Sequence, residues 1–520
     1  MIESPDARAH LMPAGVGSPS NRSRRILLLG AAGVSLHALP GCGGGAGTAG
    51  AMLSTVSPGA GPVGVPGAAT SLPVVTLNAG VLDADGVRNF ALSVQAGTTS
   101  WRTGLPARTF GYNGALLGPA LRLRRGERTR VRVGNHLDED TTVHWHGLVV
   151  PAEMDGGPHQ VIAPGGQWDA GFTVENPAST CWFHPHTHGS TGRQVLMGLA
   201  GLLIVDDAAQ AAAELPGRWG VDDLALVLQD KRFTASGQID DTLTASDRLN
   251  GYLGDTLLVN GAIAPRWLAP RQWVRLRLLN GCNARFLTLR LGNGMPLLQL
   301  ANEGGLLAAP VTRLSILLAP GERAEVLVDF SDLESGQDVP LRAATAAAGM
   351  GMGGAGAASE VTAMTCRVAL PRQLDAIVRP PAALASAPTI VAGAGATVRS
   401  FTLGGMMGSA LTINGRAFDI GRIDFAVPAR QVELWRFSNA SGMAHPVHVH
   451  GVRMSLLSRG GLPPSAHERG LRDTFVVEPM QTVVVAVETP ALPSPVPLMF
   501  HCHILEHEDA GMMGQFITVQ

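Results

Sequence analysis

A cysteine and several histidines that could bind a metal lie close together late in the sequence. The stretch HCHILEHEDAGMM, residues 501–513, places Cys502 between two histidines and continues with His507 and Met512. Imidazoles, one thiolate and a distant thioether are the ligands of a blue-copper electron-transfer centre. A cysteine alone is usually a small buried hydrophobic residue, so only the whole group indicates a metal site.

Four pairs of histidines, each separated by one residue, accompany this stretch. The pairs are His144 and His146, His184 and His186, His448 and His450, and His501 and His503. Residues two apart on a β-strand share a face, so each pair predicts two imidazoles that point the same way. Half of them belong to an early segment and half to a late one, which predicts a metal cluster between two domains. One pair would be weak support, because two histidines on a strand are often incidental or a zinc site.

The same alternation separates the blue-copper ligands from the cluster. Cys502 lies between two cluster histidines and so points to the opposite face of its strand. His445 lies three residues before His448, an odd offset that turns it away from the cluster as well. The sequence therefore predicts one copper site that consists of His445, Cys502, His507 and Met512. The cluster lies directly behind Cys502, so the backbone there would be a short path for electrons.

Three similar strands must position these ligands. The segments RVRVGN, VRLRLLN and VELWRFSN have the pattern of strands and end at Asn135, Asn280 and Asn439. Nine residues after the asparagine, the first and third segments have a cluster histidine and the second has Leu289. The motifs WFHPH and MFHCH match in the same way, with Pro185 where the later motif has the cysteine. The pattern predicts one β-domain repeated three times, with metal-binding residues kept in the first and last copies.

The composition excludes several classes of protein. The chain has 520 residues, of which 45% are hydrophobic and 15% charged, and its formal net charge is −2. It is too long for one hydrophobic core, too polar and too rich in Gly and Pro for a membrane protein, and without a basic footprint for nucleic acid. Short alternating segments between Gly/Pro turns predict an all-β protein of sandwich type. The other cysteines, Cys181, Cys282 and Cys366, show no paired spacing, so their pairing stays open.

The first residues predict an export signal and a tether. The apolar run ILLLGAAGVSLHAL fits the core of a signal peptide, and Arg24 and Arg25 directly before it are typical of twin-arginine export. We expect residues 1–41 to be the signal and residues 42–72, mostly Gly, Ala, Pro and Ser, to be a flexible tether. Cys42 could be lipidated, which would be the only contact with a membrane, or a plain cleavage site could lie nearby. Both alternatives stay open, and both predict a periplasmic protein.

Together the motifs resemble those of the multicopper oxidases, and among them the bacterial periplasmic copper-efflux (cuprous) oxidases and bacterial laccases. The resemblance covers nearly all of residues 75–520 and includes HWHGLVVPAEMDGGP, CWFHPHTHGSTGRQVLMGLAG and HCHILEHEDAGMM. It implies three cupredoxin-like domains, which are Greek-key β-sandwiches, at residues 73–212, 213–375 and 376–520, with no copper ligands in the second. It also implies four copper ions: one type 1 copper that takes electrons from a substrate, and a type 2/type 3 cluster that reduces dioxygen to water.

Carried over motif by motif, the resemblance assigns a role to each ligand. The type 1 ligands are His445, Cys502, His507 and Met512, and the type 2 ligands are His144 and His448. The type 3 pair is held by His146, His184 and His503 on one side and by His186, His450 and His501 on the other. Dioxygen reduction consumes protons, and the carboxylates of Asp155 and Glu508 are the candidates that relay them. An alternative is that Asp155 only shapes a Gly-rich turn.

The reducing substrate is where the chain departs from the copper-efflux oxidases. Those enzymes carry a long Met- and His-rich insert early in the third domain, and residues 401–414, FTLGGMMGSALTIN, have no room for it. Three methionines remain that could favour Cu(I), namely Met406, Met407 and Met443, although filling gaps in a core is an equally good interpretation. Ser441 replaces the usual acidic residue four positions before the first type 1 histidine. We expect an uncovered type 1 edge that accepts both weakly bound Cu(I) and phenols.

Other functions fit parts of the pattern. The chain could be a laccase-like phenol oxidase without a role in copper tolerance, or a copper-free cupredoxin chain that acts as a structural or cell-division protein. Chains of the latter kind lose ligands, whereas this one keeps all of them. A two-domain copper nitrite reductase is disfavoured by the third repeat and the paired histidines. The interpretation adopted is a monomeric oxidase in copper tolerance that uses dioxygen and either Cu(I) or a phenol and has no nucleic-acid partner.

Overall fold

The computed structural model describes residues 70–346 and 359–520, apart from 374, 378, 385–388 and 406–410. Every described residue belongs to one compact unit, Gly64–Gln520. The predicted signal, most of the tether, and the residues Arg24, Arg25, Cys42, Met406 and Met407 therefore lie outside the described residues. No helix in the described ranges is long and apolar enough to cross a membrane.

The end of the predicted tether is packed rather than free. Ser71 forms a β-bridge with Arg266, and Leu72 donates its N–H to the Arg266 carbonyl over 2.8 Å. The Leu72 side chain is buried in the core of the second sandwich. The prediction of a flexible segment through residue 72 is thus wrong for these last positions. Burial of the apolar Leu72 side chain lowers the free energy of the folded state, which favours the packed arrangement.

Nearly all of the regular secondary structure in the described residues is strand, which confirms the all-β prediction. The first strands are β1 (Leu77–Asn78), β2 (Val81–Leu82), β3 (Val87–Arg102), β4 (Leu105–Tyr112), β5 (Ala120–Arg124), β6 (Arg128–Asn135), β7 (Gln167–Thr173), β8 (Ser179–Phe183) and β9 (Gly201–Asp206). The middle strands are β10 (Asp223–Lys231), β11 (Thr256–Val259), β12 (Ala262–Ile263), β13 (Arg266–Pro270), β14 (Trp273–Asn280), β15 (Phe286–Leu291), β16 (Leu297–Asn302), β17 (Gly305–Arg313), β18 (Ile316–Leu318), β19 (Arg323–Asp329), β20 (Asp338–Ala346) and β21 (Ser359–Leu370).

The last strands and the short helices complete the described elements. The strands are β22 (Val398–Gly404), β23 (Thr412–Ile413), β24 (Phe425–Pro428), β25 (Val432–Asn439), β26 (His445–Val449), β27 (Arg453–Arg459), β28 (Leu471–Arg472), β29 (Thr474–Val477), β30 (Thr482–Glu488), β31 (Ser494–Cys502) and β32 (Met513–Val519). The helices are α1 (Thr191–Met197), α2 (Ala208–Ala212), α3 (Ala245–Asn250) and α4 (Leu505–Asp509), with 3₁₀ turns at Ala152–Met154 and Ala466–Glu468.

These strands form six sheets, two in each third of the described chain. In the first third the sheet orders are β1-β5-β9-β8 and β2-β3-β6-β7, with β4 on β3. In the second they are β12-β11-β10-β14-β19-β16-β17 and β13-β21-β20-β15-β18, and in the third β23-β22-β25-β30-β27-β28 and β24-β32-β31-β26-β29. Each pair of sheets encloses its own cluster of buried apolar side chains. Burial of a large apolar side chain stabilises the folded state by about 1.5–3 kcal/mol, so each cluster is a core that stabilises its own sandwich.

The three asparagine-ending strands are those that the sequence predicts. β6, β14 and β25 each pair in parallel with an earlier strand and antiparallel with a later one. They end at Asn135, Asn280 and Asn439. Each asparagine donates two side-chain hydrogen bonds to main-chain carbonyls, and its Oδ1 accepts from the N–H two residues further on. This Asx-type turn fixes the loop that follows each strand.

The second sandwich has leucines at the positions that correspond to the first histidine pair. β15 carries Leu289 and Leu291, and both side chains are buried in the core. A further apolar cluster joins the first and second sandwiches, with Trp182 and Leu202 on one side and Val227 and Leu279 on the other. The second sandwich is therefore fixed against the first by apolar packing.

Candidate metal centres

Three of the predicted type 1 ligands form a compact buried group in the third sandwich. His445 begins β26, Cys502 ends β31 and His507 lies in α4. The Cys502 Sγ atom is 3.4 Å from His445 Nδ1 and 3.7 Å from His507 Nδ1. β26 and β31 pair antiparallel with Val447 opposite Cys502, which brings the two strand ends together. We call these three residues the mononuclear group.

Met512 is joined to the mononuclear group through the main chain. The Cys502 N–H donates to the Met512 carbonyl over 3.0 Å, and the Met512 N–H donates to the His507 carbonyl over 2.8 Å. The Met512 side chain is fully buried in the core of the third sandwich. The two hydrogen bonds hold the segment after α4 against the end of β31.

Burial sets the protonation of the mononuclear group. It lowers the pKa of His445 to about 3 and that of His507 to about 4. It raises the pKa of the Cys502 thiol above its ordinary value. Both imidazoles are therefore neutral at pH 7, each with one lone pair, and a bound cation would favour the thiolate form that ligates metals.

The prediction of an uncovered type 1 edge is wrong for the described residues. The side chains of His445 and His507 are both fully buried. The Nε2–H of His507 donates to the carbonyl of Leu249 over 3.0 Å. Leu249 belongs to α3, which comes from the middle third of the chain. The imidazole is covered because α3 packs on α4, although the Met-rich insert is missing.

The eight paired histidines form a second group, which we call the octet. Their ligand atoms fall into three sets in which all atoms lie within 4.8 Å of one another. The sets are His144, His146 and His448; His146, His184 and His503; and His186, His450 and His501. All eight side chains are buried. The structure thus brings together every histidine that the sequence assigns to the cluster.

Strand pairing positions the octet. His448 on β26 lies opposite His501 on β31, and the second member of each of these pairs follows directly after its strand ends. In the first sandwich His144 and His184 form only an isolated bridge, with N–H to carbonyl distances of 2.8 and 3.2 Å. The alternation of side chains holds across these strand ends, and Cys502 points away from the octet.

Carbonyl acceptors determine which ring nitrogen carries the proton in two octet histidines. His144 donates its Nδ1–H to the Asp155 carbonyl over 3.0 Å, and His448 donates its Nδ1–H to the Asp473 carbonyl over 2.8 Å. A neutral imidazole has one N–H, so each Nε2 keeps a lone pair. These two Nε2 atoms face each other over 3.3 Å.

A second facing pair has the same arrangement. His450 donates its Nδ1–H to Asp155 Oδ2 over 2.7 Å, and His501 donates its Nδ1–H to the Cys502 carbonyl over 3.1 Å. Their Nε2 atoms are 3.1 Å apart. Two lone pairs at this distance repel each other unless a cation lies near them, and imidazole is a preferred ligand of copper. The octet therefore fits bound copper.

Burial also keeps six of the octet histidines neutral. It is the largest cause that lowers the pKa of His186 and His503 to about 3. It lowers the pKa of four more well below the ordinary value, namely His146, His184, His448 and His450. The Nδ1 atoms of His186 and His503 are buried and have no hydrogen-bond partner in the part of the chain that the structure describes. Neutral imidazoles can bind a metal without first losing a proton.

Both carboxylates that the sequence singles out touch the octet. Asp155 Oδ2 lies 2.7 Å from His450 Nδ1 and 3.3 Å from His144 Nδ1. Glu508 lies 3.4 Å from His186 Nδ1 through Oε1 and 3.1 Å from His501 Nδ1 through Oε2. Asp155 also ends a 3₁₀ turn, so shaping that turn and contacting the octet are both features of this residue.

A third carboxylate at the octet was missed by the sequence analysis. Asp473 Oδ1 lies 3.1 Å from His146 Nε2, and Thr474 Oγ1 lies at the same distance from that atom. Arg323 donates to both carboxylate oxygens of Asp473, over 2.8 and 2.5 Å. Arg323 begins β19, so the middle sandwich reaches the octet although no histidine of the octet comes from it. The only signal in the sequence was a charged residue beside an apolar strand.

The remaining predicted residues lie apart from the octet. Met443 is half-buried, two residues before His445, and packs on the core of the third sandwich. Cys181, Cys282 and Cys366 are buried free thiols. These three cysteines therefore form no disulfide with one another.

Comparison with known proteins gives one consistent family. Residues 93–210 and 392–520 match two family models described as multicopper oxidase. A multicopper oxidase of Staphylococcus haemolyticus is 37% identical over 437 residues, which is 83% of this chain and 89% of the relative. The cell division protein FtsP of Yersinia pestis is 37% identical over 419 residues, which is 79% of this chain and 85% of the relative.

A solved structure gives the same result. The laccase-like multicopper oxidase CueO from the lignin-degrading bacterium Ochrobactrum sp. superposes with a TM-score of 0.78 at 38% identity and covers 86% of this chain and 100% of its own. Its fold, the family models and the arrangement of the mononuclear group beside the octet agree. The chain belongs to the multicopper oxidase family, the copper enzymes that pass electrons from reducing substrates to dioxygen.

Proposed function

We propose that the chain takes electrons from Cu(I) and from phenolic compounds at the mononuclear group and passes them to dioxygen at the octet. The observation that carries the proposal is the end of β31, where Cys502 lies between two octet histidines. One peptide unit on either side then separates the two groups. Bound copper would supply the one-electron steps, while the side chains bind, orient and exclude water.

We propose that the protein binds four copper ions. One is bound by the mononuclear group with Met512, and three are bound by the octet, with the type 2 and type 3 roles that the family resemblance gives. The three sets of ligand atoms within 4.8 Å of one another support this division. His146 belongs to two of the sets, and the resemblance assigns it to the type 3 side.

Asp155 and Glu508 are proposed to hold and release the protons that dioxygen reduction consumes. Asp155 Oδ1 is buried and has no hydrogen-bond partner among the described residues, so this oxygen can take up a proton while Oδ2 remains bonded to His450. Glu508 reaches the opposite side of the octet, at His186 and His501. Positioned carboxyl groups of this kind contribute about 10²–10⁴-fold to proton-coupled steps.

Two features bear on the reducing substrate. A half-buried thioether, Met443, lies two residues before His445 in the sequence, and thioethers favour Cu(I), which supports cuprous oxidation and a role in copper tolerance. The Ochrobactrum relative is described as active on lignin model compounds and lignosulfonate, which supports phenolic substrates. We propose that both classes are oxidised and that Cu(I) binds weakly, because the Met-rich insert is missing.

The test is oxygen uptake by the purified, copper-loaded protein. We expect a blue protein that consumes dioxygen with Cu(I) and, without added copper, with a phenol such as 2,6-dimethoxyphenol. A steady-state comparison of the two reductants then ranks them. A copper-loaded protein that stays colourless and consumes no dioxygen would contradict the proposal and favour a structural role like that of the cell-division relative.

We further propose that the chain is exported to the periplasm by the twin-arginine route and acts there as a monomer. Changing Arg24 and Arg25 together to lysine should leave the precursor in the cytoplasm, because the weakly apolar core of the signal suits the general secretory route poorly. Unchanged export would contradict this route. Mass spectrometry of the mature N-terminus decides whether Cys42 carries a lipid, and light scattering measures the oligomeric state.

A further inference from the structure

Ser441 contacts the outer nitrogen of a type 1 ligand. Its Oγ lies 2.8 Å from His445 Nε2, and the serine side chain is buried. Ser441 Oγ also lies 2.8 Å from Asn439 Oδ1, and the Ser441 N–H donates to the same Oδ1 over 2.9 Å. Asn439 ends β25, so the serine is held by the turn that leads from this strand to His445.

The hydrogen bonds of Asn439 determine where each proton lies. Its Nδ2 donates to the carbonyls of Met443 and Val477 over 2.6 and 2.9 Å, which turns Oδ1 towards Ser441. A hydroxyl has one proton, and Asn439 Oδ1, which can only accept, lies 2.8 Å from Ser441 Oγ, so the Ser441 proton lies in this contact. Ser441 Oγ must therefore accept from His445, which carries its proton on Nε2. The lone pair of His445 is then on Nδ1, the atom that faces Cys502 Sγ.

The partner of each type 1 imidazole is uncharged. His445 donates to a hydroxyl and His507 donates to the Leu249 carbonyl. In the described part of the chain, no carboxylate lies within 4.0 Å of a ring nitrogen of either residue, whereas three carboxylates lie within that distance of octet histidines. An N–H that donates to a carboxylate makes an imidazole a more basic ligand. A nearby negative charge also stabilises the more positive oxidation state of a metal.

We propose that Ser441 is a positioning residue: it fixes the Nε2–H form of His445 and, because it is uncharged, keeps the reduction potential of the mononuclear copper higher than an acidic residue would. This inference deepens the proposed function and rests on it. The equivalent position is usually acidic in the copper-efflux enzymes. A serine there would therefore change the driving force with which the mononuclear copper takes up electrons from phenols.

The matched variants are Ser441→Asp and Ser441→Asn, which have nearly the same shape and differ in charge. Potentials are measured by spectroscopic redox titration of the copper-loaded protein against a one-electron mediator. We expect the equilibrium constant for reduction of the mononuclear copper to be at least tenfold smaller in Ser441→Asp than in Ser441→Asn. This ratio corresponds to about 59 mV for a one-electron step. Equal potentials of the two variants would overturn the proposal.

A second pair of variants tests the positioning role without a new charge. Ser441→Thr keeps the hydroxyl and should keep the potential and the electron paramagnetic resonance spectrum of the wild-type mononuclear copper. Ser441→Ala should broaden the copper hyperfine lines, because the His445 ring loses its anchor. Identical spectra for Ser441→Ala and wild type would overturn the anchoring, even if the acidic variant does not fold. A wild-type protein without a blue band would instead contradict the proposed function itself.

Discussion

The first and third sandwiches hold their histidines in the same way. Each contributes an aspartate whose carbonyl accepts from its own first histidine and whose carboxylate reaches a histidine of the other sandwich. Asp155 bonds to His144 through its carbonyl and to His450 through Oδ2. Asp473 bonds to His448 through its carbonyl and approaches a first-sandwich histidine through Oδ1. The octet is thus joined across the interface twice, by equivalent residues.

The sandwiches differ in what surrounds these equivalent residues. The residue between the second pair of histidines is Pro185 in the first sandwich and Cys502 in the third, and in both its carbonyl accepts from the preceding histidine. Asp473 is held at both oxygens by Arg323, whereas one oxygen of Asp155 has no partner among the residues described. One copy thus provides a thiol that can ligate copper and a carboxylate paired with an arginine, and the other provides the carboxylate that we propose as a proton relay.

The largest effect is expected at Cys502, which occupies the position of Pro185 in the first sandwich. Cys502→Ser should abolish the blue absorbance and the oxidase activity, because a hydroxyl cannot replace the thiolate, and should leave the octet able to bind copper. Absorption spectra and copper content measure this. The control is Cys181→Ser, a buried thiol outside both groups, which should stay blue. A blue Cys502→Ser protein would contradict the type 1 assignment.

The next largest effect is expected at the ion pair between Arg323 and Asp473. Arg323→Met should leave the Asp473 carboxylate buried and unpaired and lower the free energy of unfolding of the copper-free protein by about 3–5 kcal/mol. Guanidinium titration measures the change. The control is Arg290→Met, which breaks an exposed pair with Glu360 and should cost less than about 1 kcal/mol. Equal losses in the two variants would show that Asp473 does not need its partner.

The proton-relay role should distinguish the two aspartates. Asp155→Asn should slow dioxygen reduction by about 100-fold or more, with a smaller effect on reduction of the mononuclear copper. Stopped-flow absorbance follows the two steps separately. Asp473→Asn should lower stability and slow dioxygen reduction less, because Arg323 already neutralises that carboxylate. If Asp155→Asn slows both steps equally, Asp155 is only a structural residue.

The smallest effect concerns Met443, two residues before a histidine of the mononuclear group. Met443→Leu keeps the volume and removes the sulfur, so it should lower the rate of cuprous oxidation by at most about tenfold and leave phenol oxidation unchanged. Steady-state oxygen uptake compares the two substrates. Met454→Leu, at a fully buried methionine of β27, is the control for packing. Unchanged cuprous oxidation with slower phenol oxidation would favour the laccase-like alternative.

Much of the site could be predicted because alternation on strands is a local rule. The four histidine pairs, and the opposite direction of Cys502, follow from residue spacing alone. Asp473 is the structural counterpart of Asp155 in the third sandwich, but residue spacing did not indicate it. It was missed since the two residues lie at different distances from their histidine pairs, 9 residues after the pair for Asp155 and 23 residues after the pair for Asp473.

The contributions of the middle sandwich could not be predicted. Arg323 and Leu249 reach the two metal groups through tertiary packing, and no local pattern indicates which arginine or which carbonyl does so. The packed end of the tether was missed for the same reason, since Leu72 meets its partners only in the fold. Patterns along the chain determine direction within an element, whereas contacts between domains depend on the whole arrangement.

The octet also has a consequence for the order of events during synthesis. His146 and His503 face each other across 357 residues of sequence, so no ribosome-bound fragment that ends before residue 503 can complete the group. Domains fold as units from the N-terminus as the chain emerges, and the first two sandwiches can therefore fold before any complete copper site exists. Loading of the complete copper sites would therefore follow the folding of the third sandwich.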